Sequence, residues 1–162
     1  MRQCPIMSYR VIPFALVLLF LPALPTSADI TGQARVIDGD TIEVAGQRIR
    51  LHAVDAPERR QPCSHNGKPW QCGEAATKAL AGKIGRRSVT CEERDQDRYG
   101  RIVAVCYAGG EDLSAWMVRR GWALAYRRYS LDYVEEEADA REARKGIWQG
   151  KFIPPWEWRK MK

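Results

Sequence analysis

The order of strand and helix signals along this chain narrows its fold more than any other feature. Residues 32–37 read as a first strand, and 41–44 and 47–54 as two more, joined by a tight Ala45-Gly46 turn. The segment Asp55-Ala56-Pro57-Glu58 ends the third strand, because proline has no amide hydrogen for a ladder. Residues 59–71 are polar and carry Pro62, Gly67 and Pro69, which predicts a loop. Ala76, Ala79, Leu80 and Ile84 recur at helical spacing within 73–84. Residues 88–93 and 101–107 read as a strand pair around the turn-rich stretch 95–100. Asp112 is placed to cap a helix running to Arg120, with Leu113, Trp116 and Met117 on one face and Gly121 ending it. Residues 133–145 predict a charged helix stopped by Gly146, and 147–158, rich in tryptophan and proline, an irregular strap. This is an α+β order, mainly β, and it suits a five-stranded OB-type barrel with about three helices. The pattern alone also admits other α+β arrangements.

With 162 residues, the chain has room for one domain and a targeting segment. Arg2 and Arg10 precede an apolar run over residues 11–24, followed by Pro25-Thr26-Ser27-Ala28. A basic start, an apolar centre and a small-residue exit describe a secretory signal peptide, so residues 1–28 are expected to be removed, leaving a domain over 29–162. The rival reading is an uncleaved anchor, against which stand Pro13, Pro22 and a run short of the ~20 residues of a membrane span. Losing Arg2 and Arg10 takes the net charge from +6 to +4, a modest bias toward polyanions. Four cysteines remain after cleavage: Cys63, Cys72, Cys91 and Cys106. An even count in an exported chain implies two disulfides, with three possible connectivities. If the 88–93 and 101–107 strands pair as a hairpin, Cys91 meets Cys106 across it, and Cys63 closes the 61–73 loop onto Cys72. The absence of a CxxC pair, with only His52 and His65 for company, argues against a zinc site.

Three segments carry chemistry: Ile37-Asp-Gly-Asp-Thr41, Arg50-Leu-His-Ala-Val-Asp-Ala-Pro-Glu58 and Asp97-Arg-Tyr-Gly-Arg101. Together they supply carboxylates near strand ends and arginines on strands. Oxygen-only ligands favour a hard cation such as Ca²⁺ or Mg²⁺. Arginine forks match phosphate oxygens in pairs. Each piece also has a plainer reading. Asp38 and Asp40 can be turn residues, Asp55 a turn cap, and Arg50 and Arg101 strand arginines whose stems cover apolar surface. His52 reads as a partly buried strand residue, His65 as a solvated one, and Glu135-Glu136-Glu137 as a solvated helix face. The six tryptophans suit core and strap.

In combination, IDGDT, RLHAVDAPE and DRYGR resemble the staphylococcal-nuclease-like (thermonuclease) family, from Gly32 to about Trp148. That resemblance implies an OB barrel with three helices and a Ca²⁺-dependent, sugar-nonspecific endonuclease. Residue by residue it implies Asp40, Asp55 and the Ala56 backbone carbonyl as calcium ligands, and Glu58 as general base or water-positioner. It implies Arg50 and Arg101 as the phosphate clamp, and Tyr99 and Tyr126 as nucleotide contacts. Ala56 stands where the family often has threonine, and the four cysteines and the 61–73 segment are departures. The expectation is therefore a secreted or periplasmic monomer that hydrolyses DNA and RNA, preferably single-stranded, and leaves 3′-phosphate ends. The alternatives are a non-catalytic OB module that binds nucleic acid or oligosaccharide, and an envelope protein held by its uncleaved anchor.

Overall fold

A computed structural model describes residues 29–161; the expected signal segment lies outside them. Strands β1 (Ile30–Val36), β2 (Thr41–Val44) and β3 (Gln47–Leu51) form an antiparallel meander. β1 also pairs antiparallel with β4 (Ser88–Gln96), which forms a hairpin with β5 (Ile102–Ala108). β5 then closes onto β3 in parallel, with Arg50 opposite Val103. The result is the expected five-stranded closed barrel. The turn between β2 and β3 needs left-handed backbone at two successive residues. Ala45 and Gly46 supply it, with φ of 49° and 76°, as the primed hairpin turns require.

Period-two alternation sends Ile42, Val44, Ile49, Leu51, Val89, Cys91, Ala104 and Cys106 inward. Helices α1 (Cys72–Ile84) and α2 (Leu113–Arg119) add Ala76, Leu80, Ile84, Leu113 and Met117 to the same core. Asp112 caps α2 as expected, its Oδ1 accepting from the amides of Ser114 and Ala115 at 2.7 and 3.2 Å. The disulfides are Cys63–Cys72 and Cys91–Cys106, and Cys91 faces Cys106 in the hairpin register.

Several expectations are corrected. The third strand stops at Leu51, because Ala53 takes φ of 54° and turns the chain; Val54–Asp55 pairs instead with Leu124–Ala125. The 59–71 loop holds a hairpin, Cys63–His65 with Lys68–Trp70, turned at Asn66 and Gly67 with φ of 50° and 75°. Helix α3 (Val134–Glu142) is shorter than 133–145. A fourth helix, α4 (Pro155–Trp158), lies within the strap. Glu137 is buried rather than solvated, since its carboxylate accepts from the Ala125 amide at 2.9 Å and pairs with Arg127 at 2.6 Å. His65 is partly covered, with its ring Nδ1 2.9 Å from the Gln149 carbonyl.

Candidate active site

The turn between β1 and β2 places the first carboxylate. Asp38 Oδ1 accepts from the Asp40 amide at 3.1 Å, and Thr41 O from the Ile37 amide at 2.9 Å. The turn-residue reading therefore holds for Asp38, while Asp40 is turned inward and buried. Burial and the neighbouring Asp40 charge push the Asp38 carboxyl up to about 6. Gly39 permits this approach: a Cβ there would lie 2.7 Å from that of Ala56 and 3.1 Å from that of Ala76. Asp40 is then fixed on three sides. Its Oδ1 accepts from the Thr41 hydroxyl at 3.0 Å and from Arg50 Nη1 at 3.1 Å, and its Oδ2 from the Ala56 amide at 2.9 Å.

Arg50, on β3, joins the two aspartates. Its Nη2 donates to Asp55 Oδ1 at 3.0 Å and to the Val54 carbonyl at 3.3 Å. Asp55, held by its pairing with Leu124, is 0% exposed. Burial pushes its carboxyl up, and the guanidiniums facing it oppose that rise. Glu58 follows three residues on, and its backbone is clamped. Its amide donates to Gln61 Oε1 at 3.2 Å, its carbonyl accepts from the Gln61 amide at 2.7 Å, and Gln61 Nε2 donates to the Ile153 carbonyl at 2.6 Å. Buried Gln61 thereby ties Glu58 to the strap. Gly73, at the start of α1, lies so close that a Cβ would stand 1.7 Å from the Glu58 carbonyl oxygen.

A third arginine completes the group. Arg159 Nη1 donates to Asp55 Oδ1 at 3.0 Å and to Glu58 Oε1 at 2.9 Å, and its Nη2 to Asp55 Oδ2 at 2.7 Å. Sequence reasoning missed it, because Arg159 stands beside Lys160 in a basic stretch that looks like an ordinary solvated run.

The structure thus brings Asp40, Arg50, Asp55, Ala56 and Glu58 together. Arg101 is not bonded to these carboxylates; its Nε donates to Asp97 Oδ2 at 2.7 Å. It immediately precedes β5, two residues before Val103, the partner of Arg50 across the β3–β5 ladder. Tyr99 is exposed on the β4–β5 hairpin, with the guanidiniums of Arg98 and Arg101 4.8 and 5.6 Å from its ring centroid. Tyr126 donates its amide to the Ala53 carbonyl at 2.8 Å, beside the Val54–Asp55 strand. Its ring lies 5.1 Å from Tyr129 and 5.6 Å from Trp156, centroid to centroid. His52 stays outside the network, with its Nε2 3.0 Å from Asp132. The donor chemistry fits a hard divalent cation. It is oxygen-only, with Asp40 and Asp55 buried and Glu58 open to solvent, and the positive charge of Arg159 already stands between Asp55 and Glu58.

The closed five-stranded barrel with its helices defines the fold class, OB-type. Comparison with known proteins then gives the family. Residues 48–150 match the family described as Staphylococcal nuclease homologue, a span that includes Arg50, Asp55, Glu58 and Arg101 but neither Asp40 nor Arg159. The chain is 36% identical over 162 residues to an uncharacterized endonuclease of Escherichia coli, covering 94% of this chain and 99% of that protein. It is 35% identical over 170 residues to a micrococcal nuclease of Shigella flexneri, covering 93% and 91%. A succinoglycan biosynthesis protein, ExoI of Rhizobium meliloti (strain 1021), is 40% identical over 124 residues, which span 74% of this chain and 65% of that protein. The chain belongs to the staphylococcal nuclease family.

Proposed function

We propose that the protein is a secreted or periplasmic Ca²⁺-dependent endonuclease, a monomer that hydrolyses DNA and RNA and prefers single strands. The observation that carries this reading is the Asp40–Arg50–Asp55 network, with Glu58 joined to it through Arg159. Family membership and the names of the two nuclease relatives support it. Ca²⁺, held by Asp40, Asp55 and the Ala56 carbonyl, would supply charge neutralisation at the phosphate and help to position water. Glu58 takes the proton of a water that attacks phosphorus in line. Arg50 and Arg101 neutralise the non-bridging oxygens as negative charge builds. The bond from phosphorus to the 5′-oxygen breaks, and that oxygen takes up a proton. A 3′-phosphate and a 5′-hydroxyl result. Contacts to phosphate carry no base information, so sequence preference is weak. Splayed single strands suit the cluster of rings formed by Tyr126, Tyr129 and Trp156, on which bases can stack.

Export is supported by the basic, apolar and small-residue segments of residues 1–28 and by the two disulfides. Mass spectrometry of the exported protein should find Asp29 first; a retained 11–24 segment in membrane fractions would overturn the secreted reading. The function itself is tested by incubating the purified 29–162 chain with single-stranded DNA. Cleavage with calcium and its loss with a chelator are expected, and binding without cleavage would indicate a non-catalytic module instead.

A further inference from the structure

One carboxylate assigned to the cation, Asp55, and the proposed general base, Glu58, are both held by another part of the chain itself. Both terminal nitrogens of Arg159 face Asp55 and Glu58, and both Asp55 oxygens accept from it. Among the described residues, no three carboxylate, histidine or cysteine side chains are grouped as a metal cage. Arg159 spans the gap between the proposed ligand Asp55 and the proposed general base Glu58.

Charge points the same way. Asp40, Asp55 and Glu58 bring three negative charges, and Arg50 and Arg159 answer two of them. With Arg159 withdrawn, Asp40, Arg50, Asp55 and Glu58 carry a net charge of two negatives and the Asp38 carboxyl beside Asp40 adds to it, a surplus that favours a divalent cation. The arginine is also placed to move. Its side chain is 39% exposed and that of Glu58 is 36% exposed, so water and ions reach the contact. It lies in a single 3₁₀ turn, Arg159–Met161, whose three residues are all exposed. The preceding helix α4 is fixed through Trp156, which packs against Tyr126 and the small cluster of Cys63, Cys72, Leu124 and Ile147. Anchorage at Trp156 therefore survives when Arg159 swings away.

We infer that Arg159 is a tethered cation that holds Asp55 and Glu58 in the metal-free protein and is displaced when a divalent cation binds. The inference rests on the proposed metal site. It makes the apparent calcium affinity the intrinsic affinity multiplied by the fraction of chains with Arg159 released. If about one chain in ten is released, removing the arginine strengthens calcium binding about tenfold.

The experiment is a calorimetric calcium titration, without nucleic acid, of the 29–162 chain and its Arg159→Gln and Arg159→Lys variants. Thermal melts of each in chelator and in saturating calcium accompany it. Arg159→Gln should bind calcium about tenfold more tightly at unchanged stoichiometry. It should melt lower than the wild type in chelator, and the difference should vanish in calcium. Arg159→Lys keeps the charge without the fork and should fall between the two. Equal or weaker calcium binding by Arg159→Gln would overturn the inference alone, making Arg159 a brace for the carboxylates. Absence of calcium binding in every chain would overturn the metal site, and this inference with it.

Discussion

Replacing Arg50 by methionine keeps an apolar stem on β3 but removes the charge that joins two buried carboxylates. The Arg50 side chain is 15% exposed and that of Asp55 0%, so water replaces little of what is lost. Breaking a buried ion pair by removing one partner costs about 3–5 kcal/mol. Here the low end applies. Arg159 still faces Asp55, and Asp40 keeps its bonds from the Thr41 hydroxyl and the Ala56 amide. The expected loss is about 3 kcal/mol in chelator at pH 7, equivalent to a melting-temperature fall of about 10 °C. Its pH dependence has a definite sign. Burial already holds the Asp55 carboxyl above its ordinary value, and removing Arg50 raises it further. A carboxyl that binds its proton more tightly when folded favours the folded state as pH falls. The Arg50→Met penalty is therefore full at neutral pH and shrinks on acidification toward the carboxylate range. Urea unfolding followed by circular dichroism at a series of pH values measures it. A loss below about 1 kcal/mol at pH 7, or one that grows as pH falls, would refute the reasoning.

Other perturbations probe the frame around the site. Gly73→Ala should destabilise by roughly 1–3 kcal/mol and lower turnover, because its Cβ would collide with the backbone of Glu58; Gly82→Ala on the same helix, with nothing within 4 Å, is the matched control in thermal melts and assays. Replacing Cys91 and Cys106 together by alanine opens a link with a sequence separation of 15 and should cost about 3 kcal/mol by urea denaturation, without changing nucleotide affinity. Affinity for an uncleaved single strand should fall with salt, and Arg101→Gln should reduce the logarithmic slope by about 0.7 in a fluorescence titration, the share of one lost phosphate contact.

The barrel was legible because each of its strands carries its own local signal. Local strand signals gave most of β1, β2 and most of β4, and the Ala45-Gly46 turn gave the second hairpin. The Cys91–Cys106 pair followed from hairpin register alone. Asn66-Gly67 was equally local, a strong two-residue hairpin signal, yet the proline-rich, polar surroundings of 59–71 masked it. The end of β3 was not legible: polar and apolar residues alternate over 48–53, while the turn at Ala53 goes with the distant pairing of Val54–Asp55 with Leu124–Ala125. Burial of Glu137 depends on a distant amide, that of Ala125, and leaves no mark on the surrounding acidic run. That Asp40, Arg50, Asp55 and Glu58 would lie together was legible because they sit in two compact motifs. Arg159 joins them from a separation of 104 residues from Asp55, a contact made by chain closure that no short motif records.

Turnover of single-stranded DNA by Glu58→Gln at saturating calcium tests the central claim most directly. The amide keeps the shape of the side chain and loses the basic oxygen. If Glu58 takes the proton of the attacking water, turnover should fall about 10²- to 10⁴-fold, while substrate affinity and melting temperature in calcium stay close to those of the wild type. Turnover near that of the wild type would contradict the account and remove Glu58 from the chemistry.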